Sequence, residues 1–181
     1  MRDFNLDVLQ ATTKEVFWHK FYKKAFPLMR DTKVVKFEDD QSAQRRGIDR
    51  ILYFKGYQLN VEEKFRPSGG RMDFSNPTDI LLEYKNIYAD GSNTSGWMAK
   101  ELDCTLLAYA WEDFGGGYII PWQALKYFVE EEGGRLGYNY RNIIAKNKGY
   151  DNRGNYETHS VAVPISEFIT YIPGFRLVKL V

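Results

Sequence analysis

The sequence predicts a mixed α/β fold, a mixed central β-sheet flanked by helices, and three observations carry that reading. An amphipathic helical pattern opens the chain, runs rich in β-branched and aromatic residues follow between glycine and proline breaks, and a second helical pattern separates later strand runs. With 181 residues, of which 44% are hydrophobic and 16% aromatic, the chain is long enough to bury a core as one domain over residues 1–181.

In the first element, Thr12 stands three residues before Glu15, the spacing of a capping box, and Val16, Phe17, Phe21 and Phe26 recur near helical period up to Pro27. This predicts a helix over 12–26. A short apolar step at Val34 and Val35 leads into KFEDDQSAQRR, read as a loop or a surface turn of helix. IDRILYF and YQLNVEEKF, joined by Lys55-Gly56, then predict a hairpin. Pro67, Gly69 and Gly70 interrupt the pattern, and DILLEYKNIY from Asp79 predicts a third, more buried strand because Ile80, Leu81 and Leu82 are contiguous.

WMAKELDC reads as a short helix, TLLAYAW as a fourth strand, Gly115 to Gly117 as a turn and YIIPW as a fifth strand. Residues 122–132 predict a helix whose terminal Glu130, Glu131 and Glu132 face solvent, since a helix C-terminus disfavours negative charge. The last segment, HSVAVPISEFITYIPGF, gives a strand and then a helix starting near Pro164 to Ser166.

Several function classes fall away at once. One cysteine, Cys104, supports neither an intramolecular disulfide nor a cysteine-based zinc site; it reads as a small buried hydrophobe. His19 and His159 are isolated in sequence. There is no P-loop, no HExxH and no dinucleotide-binding glycine pattern. No apolar run reaches the ~18 residues of a membrane span, and the first residues lack a signal-peptide core, so a cytoplasmic protein with no membrane partner is expected. A net charge of +1 means that any nucleic-acid footprint must be local.

The segment from Gln44-Arg45-Arg46-Gly47-Ile48-Asp49 to Glu62-Glu63-Lys64 carries the chemistry. Strand alternation puts Gln58, Asn60, Glu62 and Lys64 on one face and Leu59, Val61 and Phe65 on the other. If the hairpin brings Asp49 alongside, two carboxylates can bind a hard cation such as Mg²⁺, which takes one or two protein carboxylates beside water and phosphate oxygens. An acid-x-lysine triplet alone says little, since it occurs at Asp31, Glu62 and Glu83 where chance would give about two. Only Glu62 combines a strand pattern with an Asp on the preceding strand. A one-residue slip would exchange Glu62 for Glu63 and turn Lys64 away.

Asp49 with Glu62-x-Lys64, set in an order of helix, three strands, helix and strand over roughly residues 12–111, resembles the PD-(D/E)XK nuclease superfamily. DDQSAQRRGIDRILYF and SGWMAKELDCTLLAYAW are also similar to small nuclease-like proteins of phages and mobile elements. The proline sometimes found before the family's first Asp is replaced here by Ile48. The resemblance implies a restriction-endonuclease-like core and Mg²⁺- or Mn²⁺-dependent hydrolysis of phosphodiesters, with DNA the expected partner and RNA the other. It implies that Asp49 and Glu62 hold the metal, with the backbone carbonyl of Glu63 a further ligand. Lys64 would position the attacking water, and Gln44 would orient the site.

Arg45, Arg46 and Lys100 are natural phosphate contacts, as they are natural surface residues. Between Gly133 and Tyr150 the chain carries Arg135, Arg141, Lys146 and Lys148 among tyrosines and no acidic residue, a composition suited to phosphate neutralisation and stacking on unpaired bases, or to a plain surface loop. Glu83 and Lys85 either line the same cleft or form an ordinary strand-end pair, and Trp97 reads as a core or cleft-wall aromatic. Two other classes compete with an enzyme: an inactive nuclease-like module that binds nucleic acid or protein, such as a phage inhibitor or accessory factor, and a structural assembly protein.

Overall fold

A computed structural model describes residues 4–35, 40–66, 77–132, 136–148 and 154–180. The chain runs through helix α1 (Phe4–Ala25), strand β1 (Asp31–Val34), a short helix α2 (Gln41–Arg45), β2 (Arg50–Tyr53) and β3 (Gln58–Arg66). Next come β4 (Asp79–Tyr88), β5 (Asn93–Ser95), a 3-10 turn at Trp97–Ala99, β6 (Leu106–Trp111) and β7 (Gly116–Pro121). Helix α3 (Trp122–Glu132), the single turn α4 (Leu136–Asn139), β8 (Arg141–Asn147), β9 (Tyr156–Pro164), α5 (Ile165–Tyr171) and β10 (Arg176–Lys179) complete it. No helix among the described residues is long and apolar enough to cross a membrane.

The strands form two sheets. The first is mixed, in the order β1-β2-β3-β6-β7-β10, with β1, β2 and β3 an antiparallel meander and β6 parallel to β3, so that Glu62 stands beside Leu107 and Lys64 beside Tyr109. The second is antiparallel, in the order β5-β4-β9-β8. Every residue of β6 is buried, as a central strand covered on both faces must be. Leu106, Ala108 and Ala110 pack with Val61 and Leu52 against Phe17, Trp18, Phe21 and Tyr22 of α1. Leu107, Tyr109 and Trp111 point the other way, into a larger core closed by Ile80 and Leu82 of β4, Val161 and Val163 of β9, and helices α3 and α5.

The main correction concerns strand membership. Asp79–Tyr88 is a strand with buried Ile80 and Leu82, as its sequence predicts, but it leaves the first sheet and joins β5 and β9 in the second. The third strand of the meander is instead Asp31–Val34, where the sequence shows only a short apolar step. As an edge strand with three of its four residues exposed, it lacks a buried-face pattern to announce it.

Smaller differences have local causes. Helix α1 begins upstream of Thr12, so Thr12 and Glu15 lie inside the helix rather than at its cap. Val16 is exposed while Trp18 and Tyr22 take the buried face. WMAKELDC contributes only the 3-10 turn at Trp97–Ala99. Of the three glycines expected to form a turn, Gly116 and Gly117 are strand residues; a Cβ on Gly117 would stand 2.3 Å from the Tyr109 carbonyl oxygen. The basic tract expected as a loop folds in part into α4 and β8, while Arg135, Tyr150 and Arg153 lie outside the described residues.

Candidate active site

Asp49 lies between α2 and β2, held by backbone on two sides: its N–H donates to the Val61 carbonyl at 2.9 Å, and its carbonyl accepts from the Val35 N–H at 2.9 Å. Its carboxylate oxygen Oδ2 accepts from the Glu63 N–H at 2.8 Å, which aims the side chain at β3. There, alternation sets Glu62 and Lys64 on the face toward the second sheet. The Lys64 ammonium donates to Glu62 Oε1 and sits 5.8 Å over the ring of Trp97, which is itself buried in the larger core.

Glu62 is only 6% exposed. Burial raises its pKa above the ordinary carboxylate range; Lys64 pulls it down, and the neighbouring Asp49 carboxylate pushes it up again. Two carboxylates set beside each other, one of them buried, are stabilised by positive charge. Lys64 supplies part of it.

Glu63 points the opposite way. Its carboxylate accepts from Arg50 Nε at 2.5 Å and from the Tyr22 hydroxyl at 3.0 Å, while Arg50 also donates to both carboxylate oxygens of Glu15 on α1, at 2.9 and 3.0 Å. Burial raises the Glu63 pKa and Arg50 opposes the rise; for Arg50, burial works against the charge, but Glu63 wins and the guanidinium stays ionised. Only the backbone of Glu63 therefore belongs with Asp49 and Glu62. Sequence reasoning missed Arg50, which is 2% exposed and ties α1 to β2 and β3 behind the site. The one signal for it was an arginine next to Asp49 in a strand of otherwise apolar residues.

The sequence-predicted basic residues divide. Arg46 pairs with Asp103 at 3.1 Å, and the Asp103 N–H returns a bond to the Arg46 carbonyl at 2.8 Å, an exposed clasp near the site. Arg45 and Lys100 are exposed, Lys100 directly after the Trp97 turn. Arg141 faces Asp79 at 3.7 Å, and Lys146 and Lys148 are exposed at the end of β8, all three on the second sheet rather than beside Asp49. The side chain of Gln44 lies outside those described, although its backbone belongs to α2.

Glu83 and Lys85 do not share one face. A bulge between them breaks the alternation of β4, and Glu83 bonds Arg66 at 3.1 Å. Cys104 is buried, with its thiol pushed up to about 12 by burial and by the charge of Glu62, so it offers no thiolate.

Among the described residues no group of three or more His, Cys, Asp or Glu side chains that could hold a metal ion comes together; the carboxylates that meet here are the pair Asp49 and Glu62, oxygen donors of the kind a hard cation takes. A scan against protein-family models, a search of curated proteins and a search of solved structures each find no match for this chain.

Proposed function

We propose that the chain is a Mg²⁺- or Mn²⁺-dependent nuclease that hydrolyses phosphodiester bonds, with DNA as its substrate. The observation that carries this reading is the meeting of Asp49 and the buried Glu62 with the Lys64 ammonium on one face of the first sheet. The order of a helix, a three-strand meander and a fourth strand beside β3 supports a restriction-endonuclease-like core. In place of the helix that the resemblance implies before the fourth strand, this chain runs through β4, β5 and the Trp97 turn.

Asp49 and Glu62 would hold the cation, with the Glu63 carbonyl as the further ligand. Such an ion lowers the pKa of a bound water and neutralises charge on the scissile phosphate. Lys64 donates to the attacking water or to a phosphate oxygen and stabilises the negative charge that develops there. Arg50, by holding the Glu63 carboxylate on the far face, keeps the Glu63 N–H in place to aim Asp49. Arg46 and Lys100, both exposed, would meet the backbone of the strand. A cytoplasmic setting goes with this reading.

The test is cleavage of labelled single-stranded, double-stranded and supercoiled DNA in Mg²⁺, Mn²⁺ or EDTA. Wild type should cut only with metal, and folded Asp49→Ala and Lys64→Ala should each lose at least about a hundredfold in rate, the usual scale for removing a preorganised charge-stabilising group. Cutting that survives EDTA or both substitutions contradicts the proposal.

A further inference from the structure

The second sheet carries a groove of about 620 Å³, lined by polar and apolar side chains alike, that the site above does not use. Its near end is Arg66, two residues beyond Lys64 on the same face of β3, anchored by the Tyr109 hydroxyl at 3.0 Å and Glu83 at 3.1 Å. Its far end is a pair of tyrosines, Tyr88 and Tyr156, with ring centres 5.4 Å apart. A second hollow of about 450 Å³ shares Tyr88, Asn147 and Tyr156 with the first and continues to Lys148 and to Lys146 and Glu157, a cross-strand pair on the other face of the sheet. At ~3.3 Å per strand residue, the first groove alone extends about 20 Å along β4.

The floor is built. Asn147 Nδ2 donates to Thr158 Oγ1 at 2.9 Å, and the Thr158 hydroxyl donates to Asn86 Oδ1 at 2.7 Å. This relay orients both amides, and neither Asn86 Nδ2 nor Asn147 Oδ1 has a hydrogen-bond partner among the described residues. The groove thus presents a fixed donor and a fixed acceptor next to aromatic rings. The bulge in β4 is what aims Asn86 and Tyr88 here; unbroken alternation from Glu83 would have presented Lys85 and Ile87.

The amide donor of Asn86 on one side of Thr158 and the amide acceptor of Asn147 on the other can each bond the polar edge of an unpaired base. Tyrosine rings stack on any base whose face is free, and lysines at the mouth suit the phosphates that follow. A duplex hides its base faces; an unpaired strand does not. We propose that this groove binds an unpaired nucleic-acid strand and leads it along β3 toward Lys64, an inference that takes its substrate class from the nuclease reading but its geometry from the second sheet.

The test is fluorescence anisotropy with a fluorescein-labelled oligo-dT strand and a labelled duplex of equal length, in EDTA so that nothing is cut. Tyr156→Ala and the surface double variant Lys146→Glu/Lys148→Glu, each confirmed folded by circular dichroism, should weaken single-strand binding about tenfold or more and change duplex binding little, and the lysine variant should also flatten the salt dependence. Wild-type single-strand affinity in both variants, tighter binding of duplex than of single strand, or no binding of either overturns the inference. Cleavage that proceeds in Mg²⁺ without regard to these substitutions leaves the nuclease reading standing and the groove idle; groove-dependent binding without cleavage does the reverse.

Discussion

Glu62 and Glu63 are adjacent in sequence and opposite in circumstance. Glu63 is buried with Arg50, Tyr22 and, through Arg50, Glu15, a network in which every charge has a partner. Glu62 is buried beside another carboxylate, with Lys64 as its only compensation among the described side chains. A carboxyl whose folded pKa is raised costs stability when it ionises, and that cost appears as pH climbs from the unfolded pKa, about 4.3, toward the raised folded value. Glu62→Gln should therefore melt above wild type at pH 7, with the gap closing below about pH 4, where both carry a neutral side chain. A variant that melts below wild type at pH 7 would show that the Lys64 pair outweighs burial. This part of the site was legible in the sequence, because a strand's period of two puts Glu62 and Lys64 together and Glu63 away. Arg50 was not, since its partners come from α1 and from strand register, 35 and 13 residues away.

Among the elements, β4 shows what local pattern can and cannot say. Three contiguous apolar residues announced a buried strand; which sheet it would join depends on where β9 lies, 68 or more residues on, and left no mark in β4 itself. The bulge at Glu83 to Lys85 was equally silent, and with it the faces of Asn86 and Tyr88. Gly96 is its counterpart: the Gly96 N–H donates to the Tyr84 carbonyl at 3.0 Å, and a Cβ there would lie 2.2 Å from the Glu83 carbonyl oxygen. Gly96→Ala must push β5 off the bulge, with an expected loss of about 1–3 kcal/mol, read as a lower midpoint in urea and a Tm down by roughly 2–4 °C per kcal/mol. A variant with the wild-type melt would mean that the bulge yields without cost.

Over the whole molecule, a central sheet with a core on each face leaves few places for charge, and two of the buried charged side chains, Arg50 of β2 and Glu62 of β3, stand near Asp49 on opposite faces of that sheet. The mixed α/β character and the acid-x-lysine face could be read in advance because they follow from composition and periodicity. The second sheet as a wall, the edge role of Asp31–Val34 and the groove from Arg66 to Lys148 could not, since they arise from pairings between distant segments. The nuclease proposal depends above all on Asp49 and Glu62 forming a cation site. That site is tested most directly by electron paramagnetic resonance of Mn²⁺ titrated into the full chain, with Asp49→Asn and Glu62→Gln alongside. A single Mn²⁺ should bind per wild-type chain, be lost in both variants and be displaced by Mg²⁺; Mn²⁺ that stays free, or binds the variants as it binds wild type, rules the cation site out.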